Sequence, residues 1–198
     1  MQRHGNQQKH LNPNPFQRIL LDRFHYQVAG LISQTGASRL LDAGCGEGFV
    51  LKHLQQHNPT LLPTGGDFSP EGLLWGRNNV QHNVPLINFD IHHLPLPDNS
   101  FPLVVCLEVL EHLPDSVVGL RELARVSSDY VLLSVPHEPW FRAANFLRGK
   151  HFSAFGNDPE HLHNYTGRSF CRMVSSVLDI VWHGYVFPWQ VALGRKPK

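Results

Sequence analysis

The stretch Leu40-Leu41-Asp42-Ala43-Gly44-Cys45-Gly46-Glu47-Gly48 runs from an apolar strand end through one acid into glycines at alternate positions. Glycines here remove the Cβ atoms that would hold a ligand off the backbone, and a helix beginning near Phe49 turns its first N–H groups toward that ligand. Such a turn suits a nucleotide-bearing cofactor. Its spacing is G-x-G-x-G, whereas a dinucleotide turn reads G-x-G-x-x-G, which counts against an NAD-linked oxidoreductase. Asp42 separates the cofactor classes further, because a carboxylate beside the turn repels a pyrophosphate and attracts the ammonium group of an amino-acid-bearing cofactor. Two more acids stand at expected strand ends. Asp67 is placed to accept from ribose hydroxyls or to cap the next helix, and Asp90 to accept an exocyclic amino group or to sit in a turn, with Ile91 offering an apolar wall. Histidines suit proton transfer near neutral pH, and His112, His137 and His161 follow strand ends or lie in the irregular stretch beyond them, with Glu138 and His163 beside them. For His112 a purely structural place is an equal reading.

Positioning these residues takes alternating elements. Apolar residues recur at three- and four-residue intervals over 15–36, helical patterns cover 49–57, 70–79 and 116–126, and strand-like runs cover 61–68, 85–91, 103–107 and 130–135. That alternation predicts an α/β fold: a Rossmann-like, doubly wound sheet, mostly parallel, with helices on both faces. Residues 136–167 break the rhythm with prolines, histidines and aromatics and a short helical pattern near 140–147, which predicts a lid-like insertion over the site. A helix over 169–178 and apolar runs at 180–186 and 189–193, separated by Pro188, predict an antiparallel hairpin at the sheet edge. Residues 1–13 read as a loose polar tail, leaving a single domain over 14–198.

The segment 41–48 resembles motif I of the class I S-adenosylmethionine-dependent methyltransferases, and other segments extend the likeness. Thr64-Gly65-Gly66-Asp67-Phe68-Ser69 resembles that family's G-x-D-x-S element, the stretch from Asp90 to Pro95 its D-x-x-x-L-P element, and Leu107-Glu108-Val109-Leu110-Glu111-His112 the E-V-L-E-H ending of its small-molecule members. Pro102 departs from the acid or glycine usual at its position, and strand four is expected to begin one residue later. The resemblance implies a seven-stranded sheet and S-adenosylmethionine as cofactor. It assigns Asp42, Ala43, Gly44, Cys45 and Gly46 to the cofactor turn, Asp67 to both ribose hydroxyls and Phe68 to the adenine face. Asp90 and Ile91 go to the adenine edge, and the backbones of Cys106 and Leu107 to the methionine part. It implies methyl transfer to an oxygen or nitrogen of a small acceptor, with His112, His161 and His137 as candidate catalytic residues.

Other classes are less well served. Among 198 residues the net charge is +1, without the basic excess of a nucleic-acid binder, and the N/D-P-P-Y and Pro-Cys motifs of base methylation do not occur. A protein or RNA methyltransferase and a non-catalytic cofactor-binding module are the rival readings. No apolar run approaches the ~20 residues that span a bilayer, the polar start lacks a signal-peptide core, and three scattered cysteines suggest reduced thiols, so a cytoplasmic protein without membrane partners is expected. His161-x-His163 with Asp158 or Glu160 offers metal-ligand types at a loose loop spacing, and no metal site is expected.

Overall fold

The computed structural model describes residues 14–80, 83–139 and 161–197. Helix α1 (Pro15–Thr35) begins where the Asn14 side chain accepts from the Phe16 and Gln17 amides and proline fixes the first turn. It ends at Gly36, whose φ of 66° closes the helix with a bond to the Ser33 carbonyl. Leu21, Phe24, Val28, Leu31 and Ile32 form its buried stripe.

Among the described residues seven strands follow: β1 (Arg39–Ala43), β2 (Leu62–Asp67), β3 (Leu86–Asn88), β4 (Phe101–Leu107), β5 (Ser127–Pro136), β6 (Asp179–Val186) and β7 (Trp189–Arg195). They form one sheet in the order β3-β2-β1-β4-β5-β7-β6. The first five run parallel, and β7 lies antiparallel between β5 and β6. Interleaved with them are helices α2 (Phe49–His57), α3 (Pro70–Asn79), α4 (Ser116–Val126) and α5 (Gly167–Ser175). The expected Rossmann-like α/β sheet with an antiparallel C-terminal hairpin is therefore present. Among the described residues no helix is long and apolar enough to cross a membrane.

Burial on both faces explains why the central strands read as continuous apolar runs. On β4, Val104 and Cys106 join one core with α4 and α5 residues such as Leu120, Leu123 and Phe170, while Leu103, Val105 and Leu107 join a second core with Phe24, Leu31 and Ile32 of α1. Successive side chains of one strand thus serve opposite layers. Cys45 and Cys106 are buried and Cys171 is half-buried, all three as free thiols.

Two expectations change. The third strand spans only Leu86–Asn88, because the chain after it curls into a one-turn 3-10 helix, Ile91–His93, with the Asp90 side chain capping the His92 amide. Strand β4 begins at Phe101 and not after Pro102; its pairing with β5 shifts register between Phe101 and Leu103, so the proline occupies the irregularity where a ladder donor is not needed.

Candidate active site

The strand order reverses between β1 and β4, where the ladder runs Leu40–Leu103, Leu41–Val104 and Asp42–Val105 and then stops. The register does not extend to Ala43 or to Cys106 and Leu107, which leaves a topological switch point at the carboxyl ends of the strands, where α/β sheets place their ligands. The glycine turn folds over one side of it. Gly44, Gly46 and Gly48 have φ of 86°, 53° and 81°, so each alternate residue takes the left-handed conformation that glycine reaches without strain. A Cβ on Gly44 would run into the Val109 side chain across the cleft.

The turn is tied to β2. The Gly66 carbonyl accepts from the Gly44 and Cys45 amides at 2.7 and 3.0 Å, and the Asp67 carboxylate accepts from Gly46 N at 2.8 Å and Ser69 N at 2.9 Å. A carboxylate offers about four acceptor directions, so these two bonds orient Asp67 and leave capacity for a diol. Phe68 beside it is 75% exposed, an open aromatic face at the cleft. Asp90 accepts from the His92 amide at 2.9 Å and pairs with its ring Nδ1 at 2.8 Å; the amide first and the ring second hold its carboxyl below the usual range. Ile91 is buried next to it. Asp42 is 2% exposed, and burial, followed by the Asp67 charge, pushes its carboxyl up to about 7. Burial likewise pushes the Cys45 thiol up. Residues 42–46, 67–68, 90–91 and 106–107 thus lie around the ends of adjacent strands. A glycine-lined cleft, a half-satisfied carboxylate and an exposed ring fit an adenosyl cofactor with a cationic amino-acid tail.

After β4 the chain leaves the sheet abruptly. Glu108 adopts φ of 60°, uncommon for a residue with a side chain, and is fixed by its amide on the Ser134 carbonyl at 3.1 Å and its carboxylate on the Ser134 hydroxyl at 3.0 Å. The chain then curls into a 3-10 turn, Leu110–His112. Onto this turn the segment from His161 is fastened: the Glu111 carbonyl accepts from the Leu162 and His163 amides at 2.9 and 3.1 Å. Nε2 of His163 lies 3.0 Å from the Leu113 carbonyl, and the buried Tyr165 hydroxyl donates to Ser116 Oγ at 2.7 Å.

Consequently two of the three catalytic candidates meet. The rings of His112 and His161 stand 5.0 Å apart, edge to face, with Glu111, 1% exposed, beside them. One nitrogen or oxygen atom from each of the three lies within 4.8 Å of the others. Sequence spacing missed Glu111, because only the 3-10 turn sets adjacent side chains to one purpose. His137 belongs elsewhere: its ring packs at a tilt against Tyr185, 4.4 Å between centroids, and burial first, then His183, lowers its pKa. With Tyr185, Phe187, Pro188 and Trp189 it lines a cavity of about 610 Å³ at the turn of the β6–β7 hairpin. The centre of the expected lid, residues 140–160, including Arg142, Arg148, Lys150, Asp158 and Glu160, lies outside the described residues.

A family model described as a methyltransferase domain matches residues 41–130, from β1 into β5. A demethylmenaquinone methyltransferase from Listeria welshimeri is 37% identical over 94 residues, 45% of this chain and 40% of that protein. A 27-O-demethylrifamycin SV methyltransferase from Amycolatopsis mediterranei is 32% identical over 105 residues, 50% of this chain and 38% of that protein. The chain therefore spans about 40% of the length of the curated relatives it matches. Among solved structures, the magnesium protoporphyrin IX methyltransferase from Synechocystis PCC 6803 with bound SAH gives a TM-score of 0.71 at 16% identity, covering 93% of this chain and 88% of that one. The PH0226 protein from Pyrococcus horikoshii OT3 gives 0.71 at 14% identity over 93% of each chain. These likenesses show a shared fold.

Proposed function

We propose that this chain is a class I S-adenosylmethionine-dependent methyltransferase that transfers a methyl group to an oxygen or nitrogen atom of a small-molecule acceptor. The observation that carries this reading is the junction of β1 and β4, where a left-handed glycine turn meets carboxylates at the ends of successive strands. When bound, S-adenosylmethionine supplies a methyl group on a positively charged sulfur.

The chain's own residues then divide the work. Asp42 is the counter-charge for the ammonium group, and Asp67 accepts from the ribose hydroxyls with the capacity its two amide bonds leave. Phe68 covers the adenine, Asp90 and Ile91 take its edge, and the backbone at Cys106 and Leu107 lines the methionine part. On the acceptor side, His112 and His161 are the groups that deal with the acceptor's proton, because they converge at the exit of β4. The aromatic cavity beside His137 suits the apolar body of an acceptor, and the segment 161–166, fastened over the 3-10 turn, supports a covering role for the insertion. Two relatives are named for demethylmenaquinone and a demethylrifamycin, which agrees with a small acceptor.

The test is transfer itself. Protein incubated with methyl-labelled S-adenosylmethionine and a fractionated metabolite extract is expected to label one small product, identified by mass spectrometry, with the label on oxygen or nitrogen. Asp67→Ala removes a charged acceptor and should weaken cofactor binding by about 100-fold in calorimetry, since hydrogen bonds to charged groups contribute roughly 1.5–3 kcal/mol each. Unchanged affinity in that variant would sink the ribose assignment. A wild-type chain that binds the cofactor but labels nothing is a binding module, and label on carbon overturns the acceptor class.

A further inference from the structure

We propose that Glu111, His112 and His161 form a binding site for a divalent transition-metal ion on the acceptor side of the cleft. The metal-binding part stands on side-chain geometry alone, while the catalytic use drawn from it rests on the methyl-transfer reading above.

Three features carry the site. The first is donor chemistry: one carboxylate and two imidazoles within 4.8 Å of one another are the ligand types that zinc, cobalt and manganese ions accept. The second is how the ligands are held. Glu111 and His112 are neighbours in a one-turn 3-10 helix fixed behind Glu108, and the same Glu111 whose side chain enters the cluster accepts, with its carbonyl, the two amides that follow His161. The distant ligand is therefore delivered in a set register. His163, which alternation along the loop would otherwise offer, is turned away onto the Leu113 carbonyl.

Burial is the third feature. Glu111 is 1% exposed, while the His112 side chain is 38% exposed and His161 is half-buried. Glu111 is the buried anchor of the cluster, and a bound cation offsets the cost of holding an ionised carboxylate out of water. Metal bonds to nitrogen and oxygen span about 2.0–2.2 Å, so His112 Nε2, 4.0 Å from Glu111 Oε1, needs only a small rotation of a half-exposed ring to share an ion with it. Three protein ligands are fewer than the four to six that these ions take, so such a site has room for an acceptor atom as a further ligand.

An acceptor hydroxyl in that place becomes more acidic. Its proton leaves to solvent, the oxygen forms its bond to the transferred methyl carbon, and the carbon–sulfur bond breaks with its electron pair remaining on sulfur. With an ion bound, His112 and His161 would act on the acceptor's proton through the metal they hold, in place of the direct proton transfer proposed above for the metal-free site.

Tag-free protein, stripped with a chelator and titrated with Zn²⁺ and Co²⁺, provides the test by calorimetry and visible absorption. One equivalent is expected, with Co²⁺ ligand-field bands. His112→Asn and His161→Asn should each weaken binding on the order of 100-fold. A second histidine group, His53 stacked on His57 at 4.0 Å and 4.7 Å from His25, is the natural competitor, and the double variant His53→Asn/His57→Asn should leave the Co²⁺ bands unchanged. Glu111→Gln is a third probe, used only if circular dichroism shows it folded. Absence of stoichiometric binding, or binding that survives both His112→Asn and His161→Asn, overturns the site. Once an acceptor is known, an unchanged transfer rate after metal removal overturns the catalytic role alone. A chain that methylates nothing leaves the titration standing by itself.

Discussion

An acid raised to about 7 by its surroundings, as Asp42 is by burial and then by Asp67, makes stability depend on pH in a defined direction. Its folded value lies above the unfolded one near 3.8, so the folded state holds the extra proton between the two. That stability is complete below the lower value and lost as pH rises through 7, at roughly 1.4 kcal/mol per unit of displacement. Ligand-free Asp42→Asn is expected to melt above the wild type at pH 8, with the difference closing toward pH 4; a difference that stays flat across this range refutes the assignment. An ammonium group beside Asp42 reverses the balance. Cofactor affinity should therefore rise with pH up to about 7, and calorimetric heats below that pH should vary with the ionisation enthalpy of the buffer as a proton is released. The placement of the donor-side motifs at strand ends was legible because each closes an apolar run. Glu111 was not, since nothing in linear spacing says that His161 returns to the turn after β4.

At the scale of elements, the loop after the adenine-side residues is held by one side chain. Arg125 on α4 donates from Nε and Nη2 to both oxygens of Glu122, from Nη1 to Asp98 and the Leu96 carbonyl, and from Nη2 to the Leu94 carbonyl, while Glu122 accepts from the Leu94 amide. A planar fork makes these bonds together, and an ammonium group does not. Arg125→Lys is expected to cost about 1–3 kcal/mol in denaturant unfolding and to weaken cofactor binding through the released Asp90–Ile91 turn. Loss of neither would mean that the loop is held by its prolines and by Leu94 packing. Strand identities were readable because two-sided burial writes long apolar runs into β1, β4 and β5. The brevity of β3 and the register shift at Pro102 were not, since neighbouring strands and the 3-10 turn at Ile91–His93 decide where pairing stops.

On the scale of the whole molecule, one sheet separates two apolar layers, and the cleft is the place where its central ladder is deliberately left open between β1 and β4. The three free thiols sample this architecture at different depths: Cys45 in the glycine turn, Cys106 inside β4 and Cys171 on α5 near the surface. Burial pushes all three thiols up, so the reactive thiolate is scarce and access decides the rest. An alkylating reagent should reach Cys171 first, Cys45 when the turn lifts and Cys106 only when the sheet opens, a sequence that peptide mass spectrometry can time. S-adenosylmethionine should slow Cys45 while leaving Cys171 at its own pace, and equal slowing of both would contradict a local ligand. The chain thus carries its own occupancy gauge: a sulfur atom set by nature within the donor turn, whose silence toward iodoacetamide reports how often the empty cleft breathes.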